Sequence, residues 1–65
     1  MSYALNMIQA DAAERCKKWK EAASFYNVVL HIFLFEAMLS VTDPQVRNVM
    51  ERRAHCYRQS RRVLV

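Results

Sequence analysis

Four side chains are of the types that hold metals or act as nucleophiles: Cys16, Cys56, His31 and His55. Four is the ligand count of a structural zinc site. None of them is paired at the short C-x2-C or H-x3-H spacing by which one turn presents two ligands to a tetrahedral ion. The expectation is two reduced thiols, two ordinary imidazoles, and no metal or other cofactor. Catalysis meets the same obstacle. Glu14, Glu21, Glu36 and Glu51 are dispersed, and Cys56 next to His55 points in a different direction along a helix, so no dyad follows. A domain of 65 residues also lacks room for a pocket that excludes water. We expect no enzyme and no small-molecule substrate.

The other chemistry on offer is charge, and it sits in one segment. Residues 1–42 carry Arg15, Lys17, Lys18 and Lys20 against Asp11, Glu14, Glu21 and Glu36, which balance. Residues 43–65 carry six arginines against Asp43 and Glu51, which supplies the whole net charge of +4. Such a face is either solvated or meets acidic groups on a partner. Nucleic acid is disfavoured, since no helix-turn-helix signature is evident and the aromatics lie on a different helix from the arginines.

The elements that position these groups are helical. The chain has no Gly and a single Pro, too little punctuation for strands and hairpins. The stretch 19–40, WKEAASFYNVVLHIFLFEAMLS, is the organising one. Ala22, Tyr26, Val29, Leu30, Phe33 and Ala37 recur at three- and four-residue spacing and form one face. Val28, Ile32, Phe35 and Leu39 form a second stripe, roughly opposite. A helix apolar on both sides is normally buried on both sides, so the second stripe asks for a partner unless it shares a broad core. Trp19 and Tyr26, seven apart, suit an anchor where helices 1 and 2 join.

Helix 1 has two candidate inward sets, Leu5, Ile8 and Ala12 or Tyr3, Met7 and Ala10, with Ser2 as a possible cap. Its end is placed at residues 16–18, although no Gly, Pro or Asn marks a turn there. One long helix over 3–40 is the competing reading. Asp43 and Pro44 read as N-cap and first helical residue of helix 3, with Val46, Val49, Met50, Ala54, Tyr57 and Leu64 inward. Arg53, between Met50 and Tyr57, reads as a core-edge residue whose stem is buried and whose head reaches water. The predicted architecture is all-α: one three-helix, up-down-up antiparallel bundle, with helices at about 3–16, 19–40 and 44–64.

No secretory signal opens the chain, and the apolar run over 28–41, broken by His31 and Glu36, falls short of a membrane span. With only two isolated cysteines, a cytoplasmic, reduced setting is expected. A helical pattern still running at Val65 reads as one module of a longer chain.

With three helices placed, the residues resemble a family, the MIT (microtubule-interacting and trafficking) domain. Ala10 and Glu14 match its small residue and acid in helix 1. Trp19, Glu21, Ala22 and Tyr26 match the aromatic–Glu–Ala–x3–Tyr run that opens its helix 2, and Arg53, Tyr57 and Leu64 match helix 3. The register is gapless over about residues 10–64. The chain departs from the family at Lys17, where a Gly precedes the helix 2 aromatic; at Arg58, where a Leu lines the groove between helices 2 and 3; at Gln59, in place of Asp; and at Ser60-Arg61-Arg62, in place of Arg-Ala-Glu. That groove edge is therefore reversed in charge, and Arg62 facing a ligand arginine would repel it.

The resemblance implies a non-catalytic adaptor that binds the helical tail of an ESCRT-III-like protein, or a partner MIT domain, in endosomal or vesicle trafficking or autophagy. It also implies indirect recruitment to endosomal or other membranes. The expected contacts are Val28, Ile32, Phe35 and Leu39 for apolar groups and Arg58, Arg61 and Arg62 for acidic ones, by helix-in-groove docking. The groove between helices 1 and 3 is also used in the family. Two alternatives stand beside it: a structural oligomer that buries helix 2 against its own copy, and a fragment of a tetratricopeptide-type repeat. The second is disfavoured because residue 43 onward does not repeat residue 19 onward.

Overall fold

The computed structural model describes residues 3–63. Three helices follow in order: α1 over Tyr3–Arg15, α2 over Trp19–His31, and α3 over Pro44–Val63; α2 is prolonged by a π-helical segment, Ile32–Glu36. The chain is an all-α three-helix bundle. The Tyr3 ring meets that of Phe33 at a tilt while Tyr26 reaches Glu14, so α1 and α2 are antiparallel. Asp11 and Glu14 meet Arg52 and Cys56 in the same order, so α1 and α3 run the same way.

α2 is the centre of the bundle and packs along both neighbours. Its buried face is Ala22, Ala23, Tyr26, Val29, Leu30 and Phe33. α1 contributes Ala10 and Ala13, whose small side chains let the helices approach, and α3 contributes Val46, Val49 and Cys56. Of the two inward sets considered for helix 1, Met7 and Ala10 of the second turn toward the core, Ala10 fully buried and Met7 packed against the cluster, while Tyr3 of that set is 48% exposed. Leu5 and Ile8 are 56% and 66% exposed. On α3, Met50 and Tyr57 are more exposed than their inward placement implied, and Cys56 takes the fully buried position. The expected roles of Ser2 and Leu64 lie outside the described residues.

The turn after α1 is a Schellman motif. Lys18 N–H donates to Ala13 O (2.8 Å) and Lys17 N–H to Glu14 O (3.0 Å), with Lys17 at φ 60°. Glycine is the usual occupant of that left-handed position. Here a lysine holds it.

Helix 2 is shorter than the expected 19–40. The α-helical part ends at His31, the π segment ends at Glu36, and the chain then leaves the helix. Ala37 N–H donates to Ile32 O and Leu39 N–H to Phe33 O, both 2.8 Å, with Met38 at φ 56°. Downstream, the Ser40 hydroxyl accepts from Thr42 N–H (3.2 Å) and pairs with the Thr42 hydroxyl (2.9 Å). These local bonds compete with helix continuation. Asp43 then caps α3: its Oδ1 accepts from Gln45 N–H at 2.9 Å. Among the described residues, no helix is long and apolar enough to cross a membrane.

Candidate docking groove

Asn27, Leu30 and Leu34 recur at helical spacing on the α3 side of α2, and with His31 and Phe35 they form one wall of a groove. Met50 and Arg53 of α3 form the other, and Val41 closes one end; this hollow holds about 280 Å³. A second hollow of about 410 Å³ shares Val41 and Met50 with the first and extends to Thr42, Arg47, Glu51 and Ala54. The two adjoin at Val41 and Met50, the first lying between α2 and α3 and the second between α3 and the connection before it. Phe35, 68% exposed, stands at its lip with its ring 4.9 Å from that of His31.

A polar network crosses the same seam. Arg53 Nη1 donates to Asn27 Oδ1 at 2.7 Å, and Asn27 Nδ2 donates to the Tyr57 hydroxyl at 3.2 Å. The guanidinium has only donors, so it fixes the amide's orientation. Arg53 also lies over the Tyr57 ring, 5.9 Å from the centroid.

The opposite seam is ionic. Arg52 bridges from α3 to Asp11 (3.2 Å) and Glu14 (3.6 Å) on α1, and Asp11 also pairs with Arg15 (2.6 Å). The Tyr26 hydroxyl donates to Glu14 Oε1 at 2.8 Å, and the Arg52 guanidinium covers the Tyr26 ring. Burial first, and then the Glu14 hydrogen bond and charge, raise the Tyr26 phenol well above its ordinary range. The Cys56 thiol, fully buried and 3.9 Å from Glu14 Oε1, is pushed up to about 11, by burial first and then by Glu14. At neutral pH it is a thiol and a poor nucleophile.

The structure distributes the seven expected contact residues unevenly. Phe35 lines the groove. Ile32 is 8% exposed and belongs to the interior, and Val28 is half-buried outside the groove lining. Both lie on the flank of α2 that continues from Phe25, whose ring sits with Ala12 and Ala13 of α1 in a third hollow. Leu39 is half-buried and packs against the core from the connection after the π segment. The stripe of four assumed one unbroken helix, and the π turn and the exit at Ala37 remove that register. Arg58, Arg61 and Arg62 are exposed on α3, and none lines either hollow. Arg58 and Arg61 follow Ala54 at i+4 and i+7 and so prolong the α3 wall beyond it.

Sequence reasoning missed Asn27, Leu30, Leu34, Val41, Met50 and Arg53 as groove residues. The Asn27–Leu30–Leu34 spacing was a readable signal for the first three. Comparison with protein-family models, curated proteins and solved structures finds no match for this chain.

Proposed function

We propose that this chain is a non-catalytic adaptor domain whose α2–α3 groove holds an amphipathic helix bearing acidic residues. The observation that carries the reading is an open, largely apolar hollow between α2 and α3 whose wall carries Arg53 and no carboxylate and whose aromatic lip, Phe35, is left in solvent, with Arg47 and Glu51 in the hollow beside it. Apolar side chains of a docked helix would fill the hollow, and carboxylates at its edge would meet the arginines of α3. The thiol held neutral at Cys56 agrees with a binding role over nucleophilic chemistry. The resemblance to MIT domains extends the proposal to a class of partner: helical tails of ESCRT-III type, or a partner MIT domain, in endosomal or vesicle trafficking or autophagy. The protein would act in the cytoplasm and reach membranes through that partner. The reversed charge of the groove edge selects acidic tails within that class.

Titration of the chain with acidic and basic ESCRT-III-type tail peptides, followed by tryptophan fluorescence and calorimetry, tests the reading. Saturable binding of acidic tails that Phe35→Ala weakens supports it. Equal binding of basic tails, or binding unchanged by Phe35→Ala, sinks it.

A second reading, self-association, is favoured by the exposed Leu5 and Ile8 on α1, which with Ala12 form an unpartnered stripe at helical spacing. Sedimentation equilibrium over a hundredfold range decides it: a mass that does not fall on dilution supports the oligomer, and a monomer removes it.

A further inference from the structure

The two adjacent arginines on α3 differ in what they face. Arg52 is neutralised by Asp11 and Glu14. Arg53, one residue on, turns to the other seam and is bonded there to a neutral amide, Asn27 Oδ1. Among the described residues, no carboxylate forms a salt bridge with it. One of its five N–H donors is engaged by Asn27, and its Cζ lies over the Tyr57 ring, 5.9 Å from the centroid. The Nε–Nη2 edge of a guanidinium presents two parallel N–H groups, which match the two oxygens of a carboxylate. Arg53 also lines the first hollow, beside Leu34, Phe35 and Met50.

We infer that Arg53 is the specificity-determining residue of the groove, reading an Asp or Glu side chain of the docked helix by a bidentate ion pair. The inference rests on the adaptor reading and names the group that gives the groove its preference for acid. Asn27 and Tyr57 are positioning residues. Asn27 holds one end of the guanidinium by a hydrogen bond and the Tyr57 ring lies beneath it, so less side-chain freedom is lost on binding. An apolar surround strengthens the pair, because the same charges attract more strongly where water is excluded. Long-range attraction to acid comes from Arg47, Arg58 and Arg61 as well, but these exposed arginines are screened by salt and fix no register.

The test is selection from a displayed library of helices with leucines fixed at i, i+3 and i+7 and the intervening positions randomised, panned against the wild-type chain, Arg53→Gln and Arg53→Lys. Circular dichroism melts establish that each variant is folded before panning. Wild type is expected to enrich Asp or Glu at one position next to a leucine, and Arg53→Gln to keep the leucines and lose that enrichment. For a synthesised winner, the affinity is expected to fall by on the order of thirtyfold with Arg53→Gln. Arg53→Lys keeps the charge without the fork and is expected to fall between. Tyr57→Leu and Asn27→Ala are expected to weaken the acidic winner more than its Gln-substituted form, a difference that lost packing alone does not produce. Acid enrichment that survives Arg53→Gln, or an equal loss of affinity for the acidic winner and its Gln form, overturns the inference and leaves the groove reading in place. No enriched helix at all, or winners insensitive to Phe35→Ala, overturns the groove reading itself.

Discussion

Lys17→Gly should stabilise this domain, and the turn after α1 sets the amount. Lys17 sits at φ 60°, where the Cβ of an L-residue crowds the following carbonyl at a cost of about 1–2 kcal/mol. Glycine removes that cost but adds unfolded-state freedom worth about 0.4–1 kcal/mol. Neither hydrogen bond of the motif involves the side chain, and the exposed lysine has no ion-pair partner among the described residues. The net expectation is a gain of about 0.5–1 kcal/mol, which in a domain of this size raises Tm by about 4 °C. Urea denaturation of wild type, Lys17→Gly and Lys17→Ala measures it. Alanine keeps the Cβ and loses only the long side chain, so Lys17→Ala should match wild type closely. A Lys17→Gly no more stable than Lys17→Ala would refute the left-handed turn and the helix boundary drawn from it.

Met38, at φ 56° and largely exposed, obeys the same rule: Met38→Gly should gain about 0.5–1 kcal/mol in the same urea experiment and add to Lys17→Gly, the two turns being separate. Phe33 and Phe35 lie two residues apart but are 6% and 68% exposed; Phe33→Ala should cost about 3–5 kcal/mol in a thermal melt, while Phe35→Ala should cost under ~1 kcal/mol and act on partner binding. Alkali should weaken the fold. Cys56 has its pKa raised from 9.0 to about 11 in the folded chain, so the folded state keeps a proton the unfolded chain has lost. That contribution is complete below pH 9 and is lost between about 9 and 11, on the order of 2 kcal/mol, with the raised Tyr26 phenol steepening the loss above pH 10. Denaturation midpoints that hold steady from pH 8 to 11, or that fall equally in Cys56→Ala, would contradict this.

How far the sequence carried the fold follows from which signals were local. The near absence of Gly and Pro, the Ala22–Tyr26–Val29–Phe33 face and the Asp43-Pro44 start are each written in a few neighbouring residues, and they specify three helices around α2. The two turns were harder because each depends on a residue adopting an uncommon conformation that its type does not announce. Lys17 holds a glycine's place, and nothing in Met38 marks a chain exit. The π segment was out of reach for the same reason, since periodicity assumes 3.6 residues per turn. Phe35 lines the groove four residues after His31, while Ile32 is buried and Val28 lies outside the lining. On α1, apolar spacing alone did not decide between Leu5–Ile8 and Met7–Ala10. Small residues at the contact decided it, since Ala10 and Ala13 let α1 lie close on Ala22 and Ala23.

The charge asymmetry of the chain takes on a structural meaning once its arginines are sorted by partner. Six arginines lie on one helix, so each rotation along α3 presents a different one to a different surface. Arg52 turns to α1, where two carboxylates and the Tyr26 ring surround it. Its removal would leave Asp11 to Arg15 and Glu14 to the Tyr26 hydroxyl and the Cys56 thiol, and would take away the ion pairs that join α1 to α3. Arg53 turns to α2, whose groove wall offers an amide and apolar groups but no acid. Arg53 is anchored across that seam by its hydrogen bond to Asn27 and its contact with the Tyr57 ring. Arg52 therefore has its counter-charges on α1, whereas among the described residues no carboxylate forms a salt bridge with Arg53. A guanidinium oriented by two neighbours and bordering an open apolar hollow is what a recognition surface for an acidic helix needs.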